Sequence, residues 1–209
     1  MPLTREEVFA LIDEKIFTNN SAQVQAADVN ALLKTIYDNA PNTGFEHYIG
    51  EAFGGGVIFH LWKDSEGVEH GLVVDTDNFS VGSSWSNISS ELIGTTAQSY
   101  TNGLQNSNAI VAQSGHTNSI ALNCLNSTKN GFDDWYLPSI YELRSLSLNI
   151  LSVSSTLLSI GKPLLSTNLL YPSSTELASN LLLSLTFNNS TISSTLKSTQ
   201  TAFLAIRQF

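Results

Sequence analysis

The chain has one cysteine in 209 residues, Cys124, so no intramolecular disulfide can form. Its setting, Ala121-Leu122-Asn123-Cys124-Leu125, is apolar, which raises a thiol's pKa and leaves it inert. A free, buried thiol fits folding in a reducing cytoplasm. Charge is also scarce. Nine basic residues stand against 18 acidic ones, for a formal net charge of -9, and the basic residues are scattered singly. Binding to a phosphate backbone needs clustered Lys and Arg, so the composition argues against nucleic acid as a partner, and against an anionic membrane surface. No apolar run reaches the roughly 18 residues needed to cross a bilayer. Met1-Pro2-Leu3-Thr4-Arg5-Glu6-Glu7 carries acids where a secretory signal has basic residues, so no signal peptide is expected. Beyond Arg144 only Lys162, Glu176, Lys197 and Arg207 carry charge, and Ser, Thr, Asn and Leu take its place.

The most informative stretch is Gly131-Phe132-Asp133-Asp134-Trp135-Tyr136-Leu137-Pro138-Ser139-Ile140-Tyr141-Glu142-Leu143. Ser139 and Glu142 have the spacing of a capping box, in which each side chain satisfies a backbone N–H of the other residue. Pro138 restricts Leu137 to an extended conformation and so fixes where the helix starts. Ile140, Leu143 and Leu146 follow at helical spacing. Asp134, Trp135, Tyr136, Leu137, Pro138, Ser139 and Glu142 are therefore expected to be structural: a buried aromatic turn feeding a short amphipathic helix.

This stretch resembles the G-x-x-D-W-Y-L-P-S-x-x-E-L signature of the Lcl-type adhesin C-terminal domain, a module related to C-type lectin-like folds. The resemblance extends upstream to Gly50–Phe59, His70–Val74, Trp85, Ile93-Gly94-Thr95 and Cys124. Downstream, Tyr171-Pro172-Ser173-Ser174-Thr175-Glu176 is similar to the family's Y-W-S-S-T-E, and Ala205-Ile206-Arg207-Gln208-Phe209 to its closing strand. It implies an α+β, C-type lectin-like domain over residues 44–209, with small antiparallel sheets, short helices and long loops. In Tyr171-Pro172 the family's second aromatic is missing.

Ahead of that domain, residues 1–43 read as two short helices forming an attachment or oligomerisation segment. Thr4 and Glu7 make a capping box, and Val8, Leu11, Ile12 and Ile16 form one apolar stripe. After Asn19-Asn20-Ser21, Val29, Leu32, Leu33, Ile36 and Tyr37 form a second. Helices this short are marginal alone, so both stripes must dock, either on the following domain or on other copies. A capped helix, a polar break and a second helix before an unrelated domain look like the start of some phage virion fibre proteins. Fibres are often trimers, and a trimer is the expected oligomer.

From Gly54 the period changes. Val57–Trp62 and Val68–Asp75 read as paired strands about an Asp64–Gly67 turn. Gly54-Gly55-Gly56 precedes a strand with no Lys-Ser/Thr after it, which fits backbone crowding better than a phosphate loop. Residues 76–130 are polar and turn-rich, with short helices expected at 108–113 and 119–125. Leu183, Leu185 and Phe187 alternate with polar residues, then Asn188-Asn189-Ser190 turns the chain toward Ile192 and Leu196. Ala202, Leu204 and Ile206 give a last strand. This is the patterning of a half-buried antiparallel sheet, with an uncharged polar face that hints at burial against a partner chain.

Catalysis finds little support. His60, His70 and His116, with Asp75 and Asp77, lack metal-ligand spacing, and Asp133-Asp134 is followed by no calcium loop. The Glu-Pro-Asn and Trp-Asn-Asp motifs of calcium-dependent sugar-binding lectins are absent. The formylglycine-generating enzymes, which share the broad fold, use paired cysteines, and this chain has one. A non-enzyme without metal or cofactor is expected. Neutral ligands such as glycans are held by exposed aromatic faces beside amides and hydroxyls. Trp85, Asn87, Tyr100 and Asn102 meet that description, as do Asn168, Tyr171, Asn188 and Asn189; Trp85 also has a competing reading as core. The expected role is a phage virion surface protein, a fibre or decoration made in the host cytoplasm, whose lectin-like domain binds a host-surface glycan or protein. The alternatives are a structural virion subunit that contacts only other virion proteins, and a cellular adhesin domain.

Overall fold

The chain is seen in a computed structural model that describes residues 44–77 and 83–209. The two expected N-terminal helices, with Val8, Leu11, Ile12, Ile16, Val29, Leu32, Leu33 and Ile36, lie outside the described residues. The compact unit treated below runs from Glu46 to Phe209. It is a mixed α+β body of two small antiparallel sheets and four short helices among the described residues.

The first sheet holds β1 (Ala52–Phe53), β2 (Gly56–Lys63), β3 (Glu69–Asp75) and β7 (Ile206–Gln208) in the order β1-β2-β3-β7. β2 and β3 form the expected hairpin, with Asp64 Oδ1 accepting from the backbone N–H groups of Glu66 and Val68, each at 2.9 Å, to shape the turn. Gly56 is required where β2 begins, because a Cβ there would sit 2.1 Å from the Val74 carbonyl oxygen.

β2 and β3 are buried on both faces. Val57, Phe59, Leu72 and Val74 face one cluster, in which α3 (Ile140–Leu148) contributes Ile140, Leu143 and Leu146 and α4 (Ile150–Ser159) contributes Val153 and Leu157. Ile58 and Val73 face the other, which gathers Trp85, Trp135, Leu137, Phe203 and residues of α1 (Gly103–Val111) and α2 (Ile120–Leu125). Each fully buried large apolar side chain contributes about 1.5–3 kcal/mol by leaving water. A sheet packed on both sides needs apolar runs, not alternation, and Val57-Ile58-Phe59 and Leu72-Val73-Val74 supply them.

The second sheet holds β4 (Leu170–Ala178), β5 (Leu181–Thr186) and β6 (Thr191–Leu196). The half-buried pattern expected here is corrected for β5: Leu182, Leu183, Ser184 and Leu185 are all buried, since β5 is the middle strand. The exposure falls on β6 instead. The expected strand through Ala202 and Leu204 shortens to β7, and Phe203, Leu204 and Ala205 lie buried ahead of it. α4 escapes the sequence reading altogether. Ile150, Val153 and Leu157 do have helical spacing, but the serines between them, and the exposed Leu151 and Leu158, dilute the pattern.

The aromatic turn joins the parts. Trp135 and Tyr136 are buried, and Tyr136 pairs with Ile206 through reciprocal backbone bonds of 2.8 and 3.0 Å. Arg207 is held by Asp134 at 2.6 and 2.9 Å and lies 4.0 Å from the Phe132 ring centroid, so the last strand is clipped on both its backbone and its side-chain side. The Tyr171–Glu176 motif meets the same turn: the Ser174 N–H donates to the Pro138 carbonyl at 2.7 Å, and the Ile140 N–H to Thr175 Oγ1 at 3.1 Å.

Candidate functional site: an aromatic groove beside a buried carboxylate

The capping box forms as the sequence indicates and does more than cap. Glu142 Oε2 accepts from the N–H groups of Ser139 at 2.6 Å and Gly103 at 3.1 Å, and Oε1 accepts from the Tyr136 hydroxyl at 3.0 Å. One carboxylate thus starts α3, seats the first residue of α1 and fixes the aromatic turn. Burial pushes its pKa above the usual glutamate value, while the hydrogen bonds from Ser139, Tyr136 and Gly103 pull the other way.

A raised carboxyl pKa means that the folded state holds the proton longer than the unfolded one. Stability from this group is then greatest at mildly acidic pH and falls as pH rises from the ordinary glutamate value through the raised one. A Glu142→Gln amide keeps an oxygen for Ser139 and Gly103 and can donate to the Tyr136 oxygen. The difference in melting temperature between wild type and E142Q is therefore expected to widen in the variant's favour from pH 4.5 to pH 7.5. Thermal melts across that range check it; a variant that loses ground as pH rises contradicts the assignment.

Above this carboxylate lies a groove of about 230 Å³ lined by His60, Trp62 and Leu72 of the first sheet, Thr101 of the loop before α1, Tyr141, Glu142 and Ser145 of α3, and Gln208 of β7. It continues past Thr101, Glu142 and Gln208 into a larger hollow of about 590 Å³ that adds Asn102, Leu104, Asp134, Tyr136 and Phe209. Trp62 is partly exposed and sits between two imidazoles, His60 at 5.6 Å and His70 at 5.5 Å between centroids. Burial lowers the pKa of His60, which keeps it neutral near pH 7. Tyr141 and Tyr100 form an edge-to-face pair at 5.4 Å, and about half of each is exposed. The two carboxylates are occupied, Asp134 by Arg207 and Glu142 by its three donors. The groove presents π faces with hydroxyl, amide and neutral imidazole groups.

Of the sequence-predicted ligand residues, Asn102 lines the hollow and Tyr100 lies beside its rim partner Tyr141. Asn102 also caps α1, its Oδ1 accepting from the Gln105 N–H at 2.9 Å. Trp85 and Tyr171 are corrected: each is 1% exposed and presents no face to a ligand. Trp85 gives its indole N–H to the Ser173 carbonyl at 2.8 Å, and Tyr171 stacks on Phe187 at 4.6 Å. Asn87 is exposed, but its amide clamps a loop, bonding the Thr117 and Asn118 N–H groups and the Gly115 carbonyl. Asn168, Asn188 and Asn189 are exposed near the β5–β6 turn, where the Asn188 N–H donates to the Thr167 carbonyl. With Tyr171 inside, that group has lost the aromatic it was paired with. Trp62, Tyr141, His60 and Gln208 were missed as ligand residues. The outward position of Trp62 on β2 was the one available signal, since nothing in the sequence places α3 beside that strand.

Cys124 is fully buried, and burial raises its thiol pKa far above the ordinary value. Among the described residues no group of three or more His, Cys, Asp and Glu could hold a metal ion, and no helix is long and apolar enough to cross a membrane.

The fold is thus of the mixed α+β class, built on small antiparallel sheets with an aromatic groove between strand and helix. No protein-family model matches the chain, and no curated protein matches it significantly.

Proposed function

We propose that this chain works by binding: a non-enzymatic virion surface protein, a phage fibre or decoration subunit, whose C-type lectin-like domain holds a neutral host-surface glycan in the Trp62–Tyr141 groove. The observation that carries the reading is the groove itself, two partly exposed aromatics beside Thr101, Asn102, Ser145 and Gln208 with both neighbouring carboxylates internally satisfied. A pyranose ring lays its apolar C–H face on an aromatic and offers hydroxyls to amides at the edge, and this groove has both elements. The family resemblance of the aromatic turn and of Tyr171–Glu176 supports the lectin-like fold. The helical pattern of residues 1–43 supports the virion role, with attachment to other virion proteins and assembly of copies, a trimer by analogy with fibres, through that segment.

An array of bacterial surface polysaccharides probed with the labelled full-length protein tests this. The wild type is expected to be retained on neutral polysaccharides, and Trp62→Ala, at unchanged melting temperature, to lose at least tenfold in affinity, about 1.4 kcal/mol. No retention of the wild type, or equal retention of the variant, overturns it.

A further inference from the structure

We infer that β6 is an interface strand, and that its occupant is β6 of a second copy, paired antiparallel about a two-fold axis through the middle of the strand. The inference is independent of the groove.

An open sheet edge is normally protected by shortness, bulges, proline, charge or a covering segment. The other edges here are protected in these ways. β1 has two residues and β7 three, and the neighbouring Tyr136 pairs with Ile206 of β7. β4 contains Pro172, has two register shifts against β5, and is covered by the bonds from Ser174 to Pro138 and from Trp85 to Ser173. Among the described residues, β6 has none of these features. Its six residues, Thr191-Ile192-Ser193-Ser194-Thr195-Leu196, pair with β5 in unbroken register and carry no charge, proline or glycine. Among the described residues none hydrogen-bonds the backbone of Ile192 or Ser194 from the side away from β5. Thr191, Ser193, Ser194 and Leu196 are exposed.

The strand's chemistry favours its own copy. A chain with net charge -9 repels a second copy of itself wherever acids meet, and β6, which carries no charge, is a stretch where that repulsion is least. Antiparallel pairing about a two-fold sets Thr, Ser, Ile and Leu against one another, a combination of β-branched and hydroxyl residues that cross-strand pairs favour. The interface is isologous, each copy giving and receiving the same bonds. It joins two three-stranded sheets into one of six and covers Leu196, which is 49% exposed in the single copy.

The full-length protein carries the test, read by analytical ultracentrifugation. Ser194→Pro removes an edge N–H and adds a ring that a neighbouring strand cannot accommodate. It is expected to halve the assembly number, whatever number residues 1–43 themselves impose, with the melting temperature of the folded unit unchanged. An undiminished assembly, or a wild type that is monomeric at 100 µM, overturns the inference. Should the proline variant not fold, Ser193→Cys and Ser194→Cys replace it, since Cys124 is buried and unavailable for cross-linking. Mild oxidation is expected to give a disulfide-linked dimer for at least one of the two and none for Ser90→Cys. The absence of any β6 cross-link, or equal cross-linking at position 90, overturns it.

Discussion

Replacing Lys197 with methionine is expected to cost about 3–5 kcal/mol of folding stability, the usual penalty for stranding one partner of a buried ion pair. Lys197 and Glu176 are both wholly buried and meet at 2.6 Å. The ammonium also donates to the Glu91 carbonyl at 2.8 Å and lies 4.9 Å from the Trp85 ring centroid. The carboxylate accepts the Ile93 and Gly94 N–H groups, each at 2.8 Å. This pair is what fastens the 91–94 segment to β4, a role that loops without regular structure of their own require. The double variant Glu176→Gln, Lys197→Met leaves no buried charge at this site and should recover much of the loss. Urea unfolding at pH 7 measures both; a single-variant loss below about 1 kcal/mol would show that the pair is not the fastening.

Gly103→Ala should have an effect of similar size, about 3 kcal/mol, by a different route. A Cβ at that position would stand 2.5 Å from Glu142 Oε2, 2.6 Å from the Ser139 nitrogen and 2.7 Å from the Leu137 carbonyl oxygen. Two of those atoms are backbone of the aromatic turn, so relief requires moving α1 away and breaking the Gly103–Glu142 bond. Leu104, one residue on and about half exposed, provides the comparison: Leu104→Ala should leave stability within about 0.5 kcal/mol. Chemical denaturation separates the two, and equal stabilities would mean that α1 is not seated on the carboxylate.

The sequence made the local structure legible and left the site largely hidden, for physical reasons. Ser139 and Glu142 announced their capping box because its signal lies within four residues. The β2–β3 hairpin was legible from its turn, and Trp135 and Tyr136 from the density of aromatics around a proline. Tyr171 and, in one of its two readings, Trp85 were placed on the surface because polar, turn-rich surroundings suggest exposure. Burial was decided by distant partners, Ser173 for one and Phe187 for the other, which no local pattern encodes. The groove is a product of tertiary packing in the same way, since Trp62 and Tyr141 are far apart in the sequence and share a wall only because Glu142 anchors α3. The buried partner of Lys197 was equally invisible, since a lone lysine in a Ser/Thr-rich tail reads as solvated.

The three tryptophans offer a direct readout of whether the groove, as proposed, and not the turn or the loops, meets the ligand. Trp85 and Trp135 are buried at 1% and 0% exposure, and Trp62 alone of the three lines the groove. In a ¹H–¹⁵N spectrum of the full-length protein, the indole resonance lost in Trp62→Phe identifies Trp62. During titration with a polysaccharide retained on the array, that resonance is predicted to shift progressively to saturation while the other two hold still. A Trp62 signal that stays fixed while the polysaccharide binds would place the contact elsewhere and contradict the account.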